Sequence, residues 1–299
     1  MKILITGGSG FLGKYIHDFC KRSHEVIAIG RHKGDQIMVD LLNPIPDLPP
    51  VDMVIHVAGQ AHLVPKTEDE TKRFYDLNVT GTSNLLQALG RNETLPNTFV
   101  FISTVAVYGC EEGHLIDENF PLSGQSPYAD SKRKAEVIIQ EWGTSHQVNI
   151  VILRLPLVVG YNAPGNLGAM IRAIQKGYYF RMGSGQARRS MVLAEDVARL
   201  MPDLYGKKGI YNLSDGEHPS YREIEDAIAH HFKKKIKSLP KIIVTLFAYI
   251  GDVLPFFPIN TYRLKKLQAS LTFSDRKARE TLNWHPRRIL TTPFLSDIS

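Results

Sequence analysis

Cysteine is almost missing from this chain of 299 residues: Cys20 and Cys110 are the only two, and neither stands in a metal-ligand spacing. That argues against a disulfide scaffold and against a structural zinc site. Long apolar runs are missing as well. The run Ile242 to Gly251 is bracketed by Lys241, Asp252, Pro255 and Pro258 and is too short to span a bilayer. The amino terminus passes from one lysine through four strand-like residues into glycines, too short for a signal peptide, so a cytoplasmic protein is expected. A large excess of one charge is also absent. The net charge of +6 and isoelectric point near 9.1 suit an anionic ligand such as a nucleotide. Basic residues are scattered without aromatic interleaving, so nucleic acid is not an expected partner. A hydrophobic content of 43% with 22% charged residues is ordinary for a soluble globular protein. The length allows one large domain or a main domain with a smaller one.

What the sequence does have is glycine in the right place. Lys2 to Thr6 reads as a short buried strand, Gly7-Gly8-Ser9-Gly10-Phe11-Leu12-Gly13 follows directly, and Leu12, Ile16, Phe19 and Cys20 then form a helical apolar stripe. Strand, glycine turn and helix in that order point to dinucleotide binding. Gly7 allows the tight turn, Gly10 lets backbone approach a pyrophosphate, and Gly13 lets helix and strand pack closely. The helix start presents its amides to phosphate. The glycines are spaced GxxGxxG rather than GxGxxG.

A second strand, Glu25 to Ile29, ends in Gly30-Arg31-His32-Lys33. An acid near this point suits the ribose hydroxyls of NAD, whereas an arginine accommodates a 2′-phosphate. Arg31 therefore favours NADP over NAD, the alternative being a solvated basic loop. Asp40, after a short strand through Met38-Val39, either accepts from the adenine amino group or serves a turn. Asp52 to Gly59 is a third buried strand whose small end, Val57-Ala58-Gly59, can lie against a flat ligand. A long helix from about Glu68 to Arg91 carries Asn78 and Thr82, the latter read as a structural buried hydroxyl. Thr98 to Ile102 is a strand delivering Ser103-Thr104-Val105-Ala106-Val107-Tyr108-Gly109 at its carboxyl end, and Asn149 to Leu155 is another. Strands alternating with helices argue for a doubly wound parallel α/β sheet. Ligands of such sheets sit beyond the carboxyl ends of the strands.

Ser126-Pro127-Tyr128-Ala129-Asp130-Ser131-Lys132 opens another amphipathic helix, running to about His146, with Ser126 as N-cap and Pro127 in the first turn. Tyr128 and Lys132 are one turn apart on one face. A phenol titrates near ~10, so proton exchange near neutrality needs the phenolate favoured by ~2–3 units, or ~3–4 kcal/mol. An adjacent ammonium at a helix N-terminus acts in that direction.

These pieces together resemble the extended short-chain dehydrogenase/reductase family, in its nucleotide-sugar epimerase/dehydratase/4-ketoreductase branch. The resemblance covers nearly the whole chain and rests on Thr6 to Gly13, on Ser103-Thr104 leading to Val107-Tyr108-Gly109, and on Tyr128 with Lys132. It implies a Rossmann domain over residues 1–159, with 190–215 returning to it, and a substrate-binding lobe mainly over 160–299. It implies Tyr128 as proton carrier, Lys132 as the residue that tunes it and grips the nicotinamide ribose, and Thr104 as the third member of the set. Gly7, Gly10, Phe11, Leu12, Gly13, Arg31, Asp40, Leu41, Val57, Ala58, Gly59, Asn78, Ser103, Tyr128, Lys132 and Leu155 become the expected cofactor contacts. Thr104, Asn166, Leu167 and Arg189 become the expected contacts of a nucleotide-diphosphate sugar, with Arg263 a second candidate phosphate contact. Asn166 is otherwise a helix cap. The dehydratases of this branch carry an Asp-Glu pair directly after the triad threonine. Val105 and Ala106 stand there instead, which sets dehydration aside.

Arg31 tilts the reading toward NADPH-dependent reduction of a 4-keto nucleotide sugar, and the runs Ala61 to Val64 and Gly165-Asn166-Leu167 resemble relatives that reduce or epimerise deoxy-amino sugars. A UDP-hexose or UDP-N-acetylhexosamine 4-epimerase retaining NAD is the alternative, and a non-catalytic dinucleotide sensor the alternative of another class. A homodimer through the helices around 68–91 and 127–145 is the family's habit. In the second half, Tyr221 to Phe232 reads as an exposed helix and Phe273 to Pro286 as a structural closing segment. Lys233 to Lys237 reads as a solvated cationic loop, and Ile242 to Gly251 as a buried helix under the substrate lobe. The alternative for that pair is weak association with an anionic membrane surface.

Overall fold

The computed structural model describes residues 1–61, 63–254 and 260–291. His62, Pro255 and Pro258, which the sequence reading touched, lie outside the described residues. The chain begins β1 (Lys2–Thr6), α1 (Phe11–Cys20), β2 (Glu25–Gly30), β3 (Ile37–Met38), β4 (Met53–His56), α2 (Glu68–Tyr75), a π-helical segment (Asp76–Thr80), α3 (Gly81–Gly90) and β5 (Thr98–Thr104). A 3-10 turn (Val105–Tyr108) and β6 (Gly113–Ile116) lead into α4 (Pro127–His146), β7 (Asn149–Leu155) and β8 (Leu157–Val159). Next come α5 (Gly165–Lys176), β9 (Phe180–Met182), β10 (Met191–Leu193), α6 (Ala194–Leu200), β11 (Gly209–Asn212) and α7 (Tyr221–His231). The described chain finishes with β12 (Lys237–Leu239), α8 (Lys241–Val253), α9 (Thr261–Gln268), β13 (Leu271–Phe273), α10 (Arg276–Leu282) and a 3-10 turn (Ile289–Thr291).

Seven strands form one sheet in the order β11-β7-β5-β4-β1-β2-β3, and every neighbouring pair is parallel. Parallel strands covered on both faces must be apolar on both. Accordingly, alternate residues of β1 enter opposite cores: Ile3 and Ile5 meet α1 and α6 through Leu12, Ile16 and Val197. Leu4 meets α3 and α4 through Leu85, Leu89, Ala135 and Ile139. The fold is therefore the doubly wound Rossmann α/β sheet expected from the sequence. A third core, built from Leu167, Ile171 and Ile174 of α5 with Ile224 and Ile228 of α7, forms the smaller lobe.

Three expectations change. The helix over 68–91 is not uniformly α-helical: the π segment widens it around Asn78, whose amide bonds Gln60 and the Ser131 hydroxyl. A helix widened this way aims a side chain that regular geometry would turn elsewhere. The helix expected to lie exposed, α7, buries Ile224 and Ile228. The helix expected to be buried, α8, is exposed over most of its surface, with Ile242 at 84% and Val253 at 78%. Its small positions Val244, Ala248 and Gly251 are the buried ones, and Val244 and Ala248 pack on Leu239 and on Leu264 of α9. Its large residues are left outside. Among the described residues no helix is long and apolar enough to cross a membrane.

Under the cleft edge of the sheet, a chain of buried hydrogen bonds ties β1, β4 and α3 together. The Thr82 hydroxyl donates to the Asn78 carbonyl, so it accepts from His56 Nε2–H at 2.8 Å. His56 Nδ1 is then the acceptor for the Thr6 hydroxyl at 2.6 Å, and Thr6 Oγ1 in turn accepts from the Ala58 amide. Thr82 is thus structural, as the sequence suggested. Burial, with the Lys132 charge adding to it, drives the His56 imidazole down to about 3. The unfolded chain takes up this proton near 6.5 while the native one refuses it until about pH 3, so native stability falls as pH falls across that interval. By about pH 4.5 the loss from this residue is about 3 kcal/mol. Urea unfolding at pH 7 and pH 4.5 should show His56→Gln losing less over the interval than the parent protein, by roughly that amount.

Candidate active site

A cleft of about 650 Å³ opens beyond the carboxyl ends of β1, β2, β4, β5 and β7. Gly7, Gly10, Phe11, Leu12, Gly13, Arg31, Asp40, Leu41, Val57, Ala58, Gly59, Ser103, Thr104, Tyr128, Lys132 and Leu155 all line it. Asn78 does not. It is buried behind Gly59, its side-chain oxygen 2.9 Å from where a Cβ on Gly59 would stand, and it buttresses the wall rather than facing the cavity.

The floor is the glycine turn. Gly7 has φ +70° and lies so close to β4 that a Cβ there would sit 2.6 Å from the Ala58 amide nitrogen. A Cβ on Gly13 would sit 1.9 Å from the Gly7 carbonyl oxygen, so only glycine lets α1 come down on the turn. Gly10 is the N-cap of α1 and makes no side-chain cap, and the first turn holds no acid. The result is a backbone cradle at a helix N-terminus, which fits a dinucleotide pyrophosphate.

The far wall is α4. Ser126 caps it by accepting from the Ala129 amide, with Pro127 in the first turn, and this fixes Tyr128 and Lys132 toward the cleft. Lys132 is 4% exposed; its ammonium donates to the Ile102 carbonyl at 2.9 Å and stands 4.4 Å over the Phe101 ring. Burial pulls it down to about 8, against the opposing charge of Glu136. Ile102 is its one hydrogen-bond acceptor among the described residues, and an ammonium has three donors. Two donors at a cleft wall fit the hydroxyls of a ribose.

Burial pushes the Tyr128 phenol up from its ordinary range, with a hydrogen bond to Thr104 acting the other way. The sequence argument looked for a downward shift from Lys132. Lys132 is not among the groups that shift it: loss of hydration around the phenolate outweighs the Thr104 bond, because the ring packs against Phe74 in a wall with little water. Thr104, the last residue of β5, also accepts from the Ala106 amide.

Behind this wall lies a buried ion pair that the sequence reading did not find. Glu136, one turn past Lys132, accepts two bonds from Arg154 at 3.1 and 2.7 Å and one from the Ser103 hydroxyl at 2.5 Å. Arg154 also donates to the Tyr108 hydroxyl, which itself donates to Asn212. Helical spacing put Glu136 on the Tyr128-Lys132 face; its pairing with a strand residue had no local signal. Asp35 was also missed. It lines the cleft and accepts from the His32 amide, its carboxylate 2.8 Å from where a Gly30 Cβ would stand. Asp40 both pairs with Arg31 at 3.5 Å and closes a turn onto the Leu42 amide.

The expected substrate residues are dispersed. Leu167 is buried in the core of the smaller lobe, and Asn166 is exposed on α5, whose N-cap is Pro164, so Asn166 is not the helix cap. The Arg189 guanidinium bonds the carbonyls of Ala269 and Lys266 and lies 5.3 Å over the Tyr221 ring. Neither Arg189 nor Arg263 lines the cleft.

A glycine cradle at a helix start and a Tyr-Lys helix facing it across the carboxyl edge of a parallel sheet define a dinucleotide-dependent α/β enzyme. The chain belongs to the NAD dependent epimerase/dehydratase family, which it matches over residues 3–213. It is similar to the GDP-6-deoxy-D-mannose reductase of Pseudomonas aeruginosa, at 32% identity over 76% of this chain and 79% of that one. It is also similar to the N-acetyl-alpha-D-glucosaminyl-diphospho-ditrans,octacis-undecaprenol 4-epimerase of Escherichia coli O157:H7, at 26% over 93% and 89%. Among solved structures, the UDP-glucose 4-epimerase of Thermus thermophilus in complex with NAD superposes with a TM-score of 0.77 at 26% identity, over 99% of this chain and 98% of that one.

Within the turn, the two glycines that differ most in surroundings give a test of the cradle. Gly13→Ala must displace α1 from backbone it cannot move, whereas a Cβ on Gly8 meets nothing nearer than 3.6 Å. Fluorescence titration with NADPH and NADH should show at least tenfold weaker binding for Gly13→Ala and near-parental binding for Gly8→Ala.

Proposed function

We propose that this enzyme reduces the 4-keto group of a deoxy-amino nucleotide-diphosphate sugar, with NADPH as the donor. The observation that supports this is the convergence of Thr104, Tyr128 and Lys132 on the cleft that the glycine turn floors. A bound nicotinamide supplies hydride chemistry to the substrate carbon. Thr104 and Tyr128 hold the carbonyl oxygen, and Tyr128 gives it a proton. The raised phenol keeps that proton until the oxygen becomes basic. Lys132, at about 8, stays largely cationic at neutral pH and stabilises the phenolate that forms. Its two further donors grip the nicotinamide ribose. Val105 and Ala106 offer no acid or base for expelling water. Asn166, Leu167 and Arg189 remain the proposed substrate contacts, on the family resemblance alone. A homodimer in the cytoplasm, joined through the helices of 68–91 and 127–145, belongs to the same reading, and half-exposed Val137 on α4 offers apolar surface for it.

One observation favours the second reading, 4-epimerisation of a UDP-hexose or UDP-N-acetylhexosamine with retained NAD. Asp35 places a carboxylate at the end of β2, where the adenosine ribose hydroxyls of NAD would be accepted. Arg31, 75% exposed on its side chain, stands beside the same spot and suits a 2′-phosphate.

Tyr128→Phe should retain cofactor binding and lose turnover by ~10²-fold or more; unchanged turnover with a 4-keto nucleotide sugar would overturn the proton-donor role. Arg31→Ala should weaken NADPH more than NADH, and Asp35→Asn should weaken NADH more than NADPH, both read by titration of the purified protein. If Arg31→Ala weakens both equally, the NADPH assignment fails. NAD found tightly held in the purified protein, with interconversion of UDP-sugars, would establish the epimerase instead.

A further inference from the structure

Surface helices of globular proteins normally turn polar residues outward. Helix α8 turns large apolar residues outward instead. Ile242, Leu246, Tyr249 and Val253, spaced four, three and four apart, form one stripe along its outer face and are 84%, 58%, 62% and 78% exposed. Ile243 flanks the stripe at 40%. Asp252, the one acid in α8, lies off the stripe and accepts from the Thr261 amide and hydroxyl at the start of α9. Nothing acidic therefore interrupts the apolar ridge.

The surroundings are cationic. Lys233, Lys234, Lys235 and Lys237 are exposed just before α8, and Lys265 and Lys266 are exposed on α9, the helix that packs against it. Among the described residues, the one acid paired with these lysines is Glu111, 3.9 Å from Lys266. An apolar ridge with a tyrosine, with exposed lysines on the helix packed against it and in the segment before it, on a chain of net charge +6, matches an amphipathic element lying in the plane of a bilayer. The ridge enters the acyl boundary, the tyrosine sits at headgroup level, and the lysines face anionic lipid. Neither a second copy of this net-cationic chain nor a basic protein would complement the lysines.

We infer that α8 docks the enzyme peripherally on an anionic lipid bilayer, through Ile242, Leu246, Tyr249 and Val253, assisted by the exposed lysines of the preceding segment, Lys233, Lys234 and Lys235. The attachment is reversible, since one short helix inserts little apolar area and the lysines are screened by salt. It is independent of which sugar reaction the cleft performs.

Co-sedimentation of the full chain with phosphatidylglycerol/phosphatidylcholine vesicles tests this, with pure phosphatidylcholine vesicles alongside. Binding should be at least tenfold stronger to the anionic vesicles and should fall several-fold on going to 0.5 M salt. The double variant L246E/V253E should lose at least tenfold in vesicle binding while keeping its thermal unfolding midpoint and NADPH binding, since both side chains are exposed. The variant K233E/K235E should lose the salt-sensitive part and keep the weak binding to neutral vesicles. Absence of binding to anionic vesicles overturns the proposal, as does equal binding by L246E/V253E and the parent. Light scattering that shows the ridge buried in a dimer, dissociated by L246E/V253E with no vesicle binding by either form, assigns the face to a second copy and overturns it too.

Discussion

The contact on which the site depends is between the Gly7 carbonyl oxygen and the bare Cα of Gly13. Only without a side chain at Gly13 can α1 descend until its first-turn amides face the cleft. Gly7, at φ +70°, bends the chain out of β1 and against Ala58 at the end of β4. Two strands and a helix thus meet within atomic contact at one point. The pyrophosphate cradle is a consequence of that packing, and the dipole of α1 adds to it.

Polar networks hold the two sides of the cleft in register. On one side, Thr6, His56 and Thr82 link β1 to β4 and to α3, and every donor in the chain has its acceptor. On the other, Glu136 and Arg154 lock α4 to β7, with Ser103 and Tyr108 bringing in β5 and its following turn. A buried pair of this kind contributes little net stability but penalises misplacement of either partner. Its position one turn beyond Lys132 means that the orientation of α4 against β5, and so the approach of Tyr128 to Thr104, is set by charge as well as by packing. Lys132 works in the same low-dielectric wall. Burial lowers it toward neutrality while raising Tyr128, so a proton is held more tightly by the phenol and less tightly by the amine than either would hold it in water.

Much of this was legible beforehand because it is local. The Ser126-Pro127 cap set the start of α4 at the expected residue, and the apolar runs of β1, β4, β5 and β7 fell where buried parallel strands must. The cleft gathers all but Asn78 of the expected cofactor residues, since each of the others stands at the carboxyl end of a strand or on the helix that follows it. Asn78, expected from the family resemblance, lies in the π segment and is bonded to Ser131 at the back of the wall. Helix α8 was misjudged because an apolar run by itself does not say which of its residues meet the core. Small Val244 and Ala248 filled the shallow seat against Leu264, and the bulky ones were left outside.

The order of residues alone determined the doubly wound sheet, the glycine cradle and the pairing of Tyr128 with Lys132 on one helix face. Each follows from periodicity, capping or the sterics of a missing side chain, which act over one or two turns of chain. Only the tertiary structure decided the Glu136–Arg154 anchor, the carboxylate of Asp35 beside Arg31, the direction in which Tyr128 is shifted and the outward face of α8. These depend on which groups distant segments bring together and on how much water they exclude, and neither quantity is carried by any short stretch of sequence.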